Sequence, residues 1–198
     1  MNNSEYQLIK ELKQAGYIYR DINHIFKQDE LPIKAVDIIL KWVRQMYNEH
    51  LGTGDHLVRS LISANEPFDP TVLIDIFENS DYNFSVKSGI AYTLSFAPTK
   101  DISEWIKRQL LVESPTLERY GFIEGLAMKG GFKDVGELKS FLKLIFDKYP
   151  TDVMFKLWRK YGTTEDLPFL EEKAESENTK ISNNLKKVIS AIRKKKIE

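Results

Sequence analysis

Residues 69–73 read Asp-Pro-Thr-Val-Leu, and this order of an acid followed one and four positions later by apolar residues returns three times, with Pro70 taking the first apolar place here. The later copies are 101–105 (Asp-Ile-Ser-Glu-Trp), 134–138 (Asp-Val-Gly-Glu-Leu) and 166–170 (Asp-Leu-Pro-Phe-Leu). Successive aspartates lie 32, 33 and 32 residues apart. An aspartate at this place accepts hydrogen bonds from the first free N–H groups of a helix. The pattern therefore predicts four helix starts and a repeated structural unit.

A weaker repeat of the same period links the second halves of the first two units, while the third and fourth units lack its glycine. Residues 87–90 (Lys-Ser-Gly-Ile) align with residues 119–122 (Arg-Tyr-Gly-Phe), 32 positions later. A glycine inside a helix costs about 1 kcal/mol relative to alanine. The recurrence of Gly89 and Gly121 at one register therefore predicts that these helices approach a neighbour closely.

The rest of the chain also has helical periodicity, with apolar residues every three or four positions and no sustained strand-like alternation. Gly16 ends a first helix, and Pro32 suits the first turn of a long one. We expect Gly52-Thr53-Gly54 to separate that helix from the next, and Ser114-Pro115 to begin a later helix as cap and first-turn proline. In total the sequence predicts eleven to twelve helices.

A period near 32 residues with two helices per unit resembles the HEAT-repeat family of α-solenoids. The resemblance implies an all-α fold, a right-handed α-α superhelix of about five helix pairs over residues 31–198. Residues 1–30 would form an N-terminal helical cap, and residues 1–198 a single domain. The alternative is an irregular helical bundle whose caps coincide.

In HEAT proteins the second helices line the concave side. Carried over here, that surface would come from residues 55–63, 84–96, 116–128, 152–160 and 178–192. Basic side chains and two tyrosines beside the recurring glycines become weak candidates for partner binding: Arg59, Lys87, Tyr92, Arg119, Tyr120, Lys156, Arg159 and Lys187. Glu118 and Glu124 interrupt this basic ridge.

Composition excludes several classes of protein. The 29 Lys and Arg residues balance 29 Asp and Glu residues, which argues against a strongly basic nucleic-acid binder. The chain has no cysteine, so disulfides, thiolate catalysis and cysteine zinc sites are excluded. No signal peptide is visible and the apolar runs are too short to span a bilayer, so we expect a cytoplasmic protein without membrane contact.

Few residues suggest chemistry. His50 and His56, with Glu49 and Asp55, could hold a metal ion, but their spacing matches no ligand motif, and solvated loop residues are the favoured interpretation. Trp42, Trp105 and Trp158 stand in apolar stripes, which favours core packing over ligand stacking. No nucleophile motif is present, so we expect no catalysis, metal or cofactor.

The leading hypothesis is a non-catalytic, monomeric interaction module that presents a curved helical surface to a protein or peptide partner, in a regulatory, scaffold or immunity-type role. Some HEAT-like proteins instead resemble bilin lyases or alkylpurine DNA glycosylases. The glycosylases carry paired tryptophans followed closely by an aspartate, whereas here no tryptophans adjoin and Asp101 precedes Trp105. A glycosylase, or another nucleic-acid-binding protein with a weakly basic groove, is the alternative.

The basic cluster at residues 192–196 (Ile-Arg-Lys-Lys-Lys) has two interpretations. In the favoured interpretation, the cluster compensates a helix dipole and gives the last repeat a polar outer face. The other is contact with nucleic acid or an acidic partner. Residues 1–99 carry a net charge of −4 and residues 100–198 one of +4, so the chain has a modest charge asymmetry.

Overall fold

The structure, a computed structural model, describes residues 3–79, 81–129, 131–176 and 178–195. This part of the chain is all-helical, 74% helix without strands, as the sequence predicts. Its twelve α-helices are α1 (Asn3–Gln14), α2 (Ile22–Phe26), α3 (Ile33–Glu49), α4 (Leu51–Ser60), α5 (Thr71–Asn79), α6 (Phe84–Phe96), α7 (Ser103–Leu111), α8 (Tyr120–Lys129), α9 (Val135–Ile145), α10 (Asp152–Tyr161), α11 (Leu167–Ser176) and α12 (Thr179–Lys194).

The helices pack in consecutive pairs. From α3 onward each odd-numbered helix, here called a first helix, packs on the even-numbered second helix that follows it. Each second helix from α2 to α10 also contacts the next one, so that α2, α4, α6, α8, α10 and α12 follow one another in space. The buried hydrophobic side chains of all these layers form one continuous cluster.

Second helices approach one another through small residues. A Cβ added to Gly125 in α8 would lie 2.3 Å from the Cβ of Ser95 in α6, and one added to Gly89 in α6 would lie 2.0 Å from Asp55 Oδ1 in α4. The Ser95 hydroxyl donates a 3.0 Å hydrogen bond to the carbonyl of Gly121. Close approach is thus confirmed at Gly89. At Gly121 an added Cβ would find only ordinary contacts, because Gly125 is the residue at the closest point.

First helices are joined differently, by long polar side chains. The indole N–H of Trp105 in α7 donates to Glu78 Oε1 in α5 at 2.7 Å, and that of Trp42 in α3 donates to Glu11 Oε2 in α1 at 2.8 Å. Similar ion pairs join Arg44 to Asp75, Lys107 to Glu137, and Lys173 to Asp147. Several polar side chains of the first helices therefore bridge neighbouring layers.

Three of the four repeated aspartates cap helix starts as predicted. Asp69 accepts from the Thr71 N–H at 2.9 Å and Asp101 accepts from the Ser103 N–H at 2.8 Å, while Asp134 accepts from the N–H of Glu137 at 2.8 Å. Parallel backbone bridges at Leu31–Ala64 and Phe68–Thr99 join the segments before successive first helices. The connections therefore repeat along with the helices.

The fourth aspartate, Asp166, differs from the prediction that it caps a helix start. It lies 2% exposed inside a 3₁₀ turn, as the third residue of a capping box, and accepts from the Thr163 N–H at 3.0 Å. Lys139 and Lys143 of α9 reach it at 2.8 and 2.9 Å. Burial opposes its ionisation, but the hydrogen bonds from Lys139, Thr163 and Lys143 prevail and lower the pKa of Asp166 to about 2. This aspartate therefore bridges two layers.

Lysines from later layers cap the carbonyl ends of earlier helices. Lys129 donates to the Leu94 carbonyl at the end of α6, at 2.7 Å, and burial lowers the pKa of Lys129 to about 8. Lys148 reaches the end of α7 and Lys195 the end of α10 in the same way. Such contacts satisfy orphan carbonyls and favour the negative helix end. Lys195 thus supports the dipole interpretation of the basic cluster at residues 192–196. Lys196 of this cluster lies outside the described residues.

Two predicted boundaries are wrong. The break between α3 and α4 falls at His50, whose Nδ1 accepts from the Thr53 N–H, so Gly52 and Gly54 lie inside α4. Gly54 serves close packing instead, since a Cβ there would lie 2.5 Å from the ring of Tyr47. Ser114-Pro115 remains in a loop, because a 3₁₀ turn at Leu117–Arg119 forms the entry to α8.

The contact at Gly125 yields a matched pair of variants in one helix. We expect Gly125→Ala to lower the free energy of unfolding by about 1–3 kcal/mol, because the new methyl group would meet the Ser95 Cα at 2.5 Å. Gly121→Ala, one turn earlier, should leave the free energy unchanged or raise it by up to about 1 kcal/mol. Urea denaturation followed by circular dichroism measures both. Equal effects of the two substitutions would contradict the packing described.

Candidate functional site

The second-helix face, meaning the solvent-exposed side of α4, α6, α8, α10 and α12, holds the residues that the sequence singles out. Arg59 lies in α4, Lys87 and Tyr92 in α6, Arg119 in the turn before α8, Tyr120 in α8, Lys156 and Arg159 in α10, and Lys187 in α12. Their surroundings divide seven of these residues into three groups, and Lys87 stands apart.

The first group is a platform formed by Arg59 and Tyr92. Arg59 Nε donates to Asp55 Oδ2 at 2.7 Å, and the guanidinium carbon lies 4.9 Å from the centre of the Tyr92 ring. Tyr92 is 42% exposed and its ring lies 4.6 Å from that of Phe96. The charge of Arg59 is therefore balanced by Asp55, and the surface it shares with Tyr92 is chiefly aromatic.

Two buried polar atoms lie near the Arg59–Asp55 pair. Neither the Tyr47 hydroxyl nor Asp55 Oδ1 has a hydrogen-bond partner within the described chain, and both lie against Gly89. Burial, and then the negative charge of Asp55, raises the pKa of Tyr47. Without Arg59, the carboxylate of Asp55 would be a partly buried, unpaired charge, so this arginine is first a packing residue.

The second group, Arg119 and Tyr120, is largely packed. Arg119 donates to the Thr116 hydroxyl, lies 3.5 Å from the carboxylate of Glu118 and covers the Phe77 ring, with its side chain only 19% exposed. Tyr120 meets the buried Tyr149 edge-on, with ring centres 5.5 Å apart. Both residues therefore offer less to a partner than their place in the sequence suggests.

The third group is exposed and unpaired. Lys156 and Arg159 on α10 and Lys187 on α12 are exposed, and no acidic side chain of the described chain pairs with them. The exposed Lys160 and Lys180 on the same two helices share this condition. These five residues are here called the basic patch: Lys156, Arg159, Lys160, Lys180 and Lys187.

A cleft lies beside the basic patch. It has a volume of about 360 Å³, and its walls come from the starts of α8, α10 and α12, including Tyr120, Phe155, Lys180, Ile181 and Asn184. Because residues one helical turn apart share a face, Arg159 continues the row of Phe155, and Lys187 continues the row of Asn184. The cleft and the basic patch are therefore adjacent parts of the second-helix face.

Between the platform and the basic patch, the surface charge is not uniformly positive. Lys87 on α6 is half-buried, and the half-buried Glu124 on α8 has no basic partner in the part of the chain that is described. Glu124 stands 32 residues after Tyr92 and 32 before Lys156, at the equivalent register position. The basic ridge that the sequence suggests is consequently divided.

Some of these features have a signal in the sequence. Asp55 and Arg59 are four residues apart on one helix, the spacing of a helical ion pair. Residues 179–194 contain no acid, which marks α12 as basic. The packing of Arg119 over Phe77 joins residues 42 positions apart and has no local signal.

The remaining candidates are either core residues or exposed residues that make local contacts. Trp158 is fully buried and Trp105 is 8% exposed, as predicted for core residues. His50 caps α4, and His56 stacks on Phe26 with its Nδ1 3.0 Å from Asn23 Oδ1. Within residues 3–79, 81–129, 131–176 and 178–195, no three His, Asp or Glu residues gather as metal ligands, and no helix is both long and apolar enough to cross a membrane.

Truncation should separate packed from exposed basic residues. We expect Arg119→Ala to lower the free energy of unfolding by about 1–3 kcal/mol, because it removes the guanidinium from Phe77 and leaves Glu118 unpaired. Lys156→Ala should change it by less than about 0.5 kcal/mol. Urea titrations of both variants measure this, and a larger loss for Lys156→Ala would overturn the assignment.

Comparison of the chain with protein-family models, with curated proteins and with solved structures finds no match.

Proposed function

We propose that the chain is a HEAT-like α-solenoid, a right-handed superhelix whose second helices line its concave side. The unequal spacing of its two kinds of helix supports this. Second helices touch through Gly89, Ser95 and Gly125, whereas first helices are bridged by long side chains such as Trp105 to Glu78. A stack that is tight on one side and wider on the other curves toward the tight side, as in repeat proteins.

We further propose that this protein is a non-catalytic docking module, and that a protein or peptide partner binds the second-helix face. The observation that carries the proposal is the difference between the two sides of the layers. Polar side chains of the first helices bridge neighbouring layers, while Tyr92 and the basic patch on the second helices are exposed and available. Aromatic and basic side chains of this kind are enriched in protein interfaces.

We also propose that the protein is a cytoplasmic monomer, and the polar groove between α11 and α12 supports the monomeric state. The groove between α11 and α12 at the last layer has a volume of about 840 Å³ and is lined mainly by polar and charged side chains, among them Glu175, Asn183 and Lys186. Arg193 and Glu171 pair across it at 2.6 Å. A polar outer face on the terminal repeat keeps such an array soluble without a further copy.

A DNA glycosylase is less well supported. Such an activity would need exposed tryptophans in the groove, and Trp105 and Trp158 are buried in the core. Asp101, four residues before Trp105, accepts from the N–H and hydroxyl of Ser103 at the start of α7.

Site-specific photo-crosslinking tests the docking proposal. A benzophenone amino acid replaces Tyr92 on the second-helix face or, as a matched control, Leu144 on first helix α9, which is 64% exposed. After irradiation in extracts of the native host, we expect one discrete adduct from position 92 and none from position 144. Adducts of equal yield at both positions, or at position 144 alone, would contradict the proposal.

A further inference from the structure

We propose that the basic patch binds a short acidic peptide segment of the partner, and that the adjacent cleft receives one apolar side chain of that segment. This inference rests on the proposed docking function and specifies the chemistry of what is docked.

The basic patch is a strong local concentration of charge on a chain that is neutral as a whole. Over residues 179–194, α12 has five basic and no acidic residues, and over residues 152–161, α10 has three basic and one acidic. The two helices pack against each other, and the exposed residues of the basic patch come from both of them. The other basic residues of α12, which are Lys186, Arg193 and Lys194, line the groove between α11 and α12. Like charges held together raise the free energy of the folded state, and an opposite charge on a ligand relieves this repulsion.

In other parts of the described chain, several basic residues are paired with acids. Arg59 is paired with Asp55, and Arg193 with Glu171. Lys139 and Lys143 share the carboxylate of Asp166. By contrast, the five residues of the basic patch have no acidic partner among the described residues, so their charge is available to a ligand.

The cleft adds an apolar element to this charge. The walls include the rings of Tyr120 and Phe155 and the side chain of Ile181, and one base, Lys180, and one acid, Asp152, also line the cleft. An aromatic or aliphatic side chain flanked by acids would bury its apolar surface against these walls while its neighbours meet Lys180 and Lys187. The cleft therefore favours a peptide with mixed acidic and apolar residues.

The dimensions favour a short peptide over a nucleic acid. The 16 residues of α12 give a helix about 24 Å long. About eight residues of extended peptide span that length. A longer polyanion would continue toward α8 and meet the unpaired carboxylate of Glu124.

Fluorescence anisotropy tests the inference. The probe is a labelled peptide of about eight residues, the length given above, with glutamates around a central leucine. A second peptide has glutamine for each glutamate, and single-stranded DNA of the same length serves as the polyanion. We expect the glutamate peptide to bind most tightly, with an affinity that falls as salt is added.

Paired charge reversals locate the binding site. Lys156→Glu with Lys187→Glu should weaken binding of the glutamate peptide about tenfold or more, since a charged cleft changes association by this order. Lys10→Glu with Lys34→Glu changes the net charge equally at exposed positions on α1 and α3 and should leave the affinity unchanged. Circular dichroism checks that both proteins fold.

Three outcomes would overturn the inference. These are no binding of the glutamate peptide, equal loss in both double variants, and tighter binding of DNA than of peptide. The photo-crosslinking at position 92 distinguishes this failure from that of the docking function. An adduct at position 92 without binding of the acidic peptide rejects only the partner's chemistry, whereas loss of both rejects the docking function as well.

Discussion

The close approach of successive second helices is the constraint on which the rest of the structure depends. At Gly125 and Ser95, and again at Gly89 and Asp55, the backbone of one helix comes so near its neighbour that a methyl group has no room. No helix pair can cover its own apolar side, so each pair gains stability by burying it against the next. Small residues at the contacts let the layers follow one another closely.

This constraint gives the two kinds of helix different surfaces. First helices stand further apart, and side chains such as Trp42, Trp105 and Lys107 use their length to reach acids in the neighbouring layer. Second helices touch directly, and a few of their side chains also join layers, such as Arg59 over Tyr92 and Lys129 at the end of α6. Tyr92 and the basic patch nevertheless remain exposed on this side, and docking is proposed there.

The sequence predicts the regular part of this structure well, because that part depends on local chemistry. Helix α6 begins and ends where the periodicity indicates, and Asp69, Asp101 and Asp134 cap their helices within a few residues of chain. Asp166 differs because the two lysines that bind it come from another layer.

The candidate site is predicted less well, for a similar physical reason. Basic residues recur on the second helices, but whether each one is free depends on its neighbours in space. Arg119 is drawn onto Phe77 by contacts between distant residues, whereas Lys156 and Lys187 stay exposed. The repeated glycines, Gly89 and Gly121, correctly predict a close contact at Gly89. In α8, however, Gly125 lies nearest to α6, because the nearest residue depends on how the helices cross.

Distances between spin labels on the second helices test the layered order most directly. Labels at Leu51 and Leu117, both exposed, are separated by two layer steps, and labels at Leu51 and Lys180 by four. With helices 8–10 Å apart, we expect distances of about 16–20 Å and about 32–40 Å, the longer shortened somewhat by curvature. A Leu51–Lys180 distance equal to or shorter than the Leu51–Leu117 distance would contradict the account.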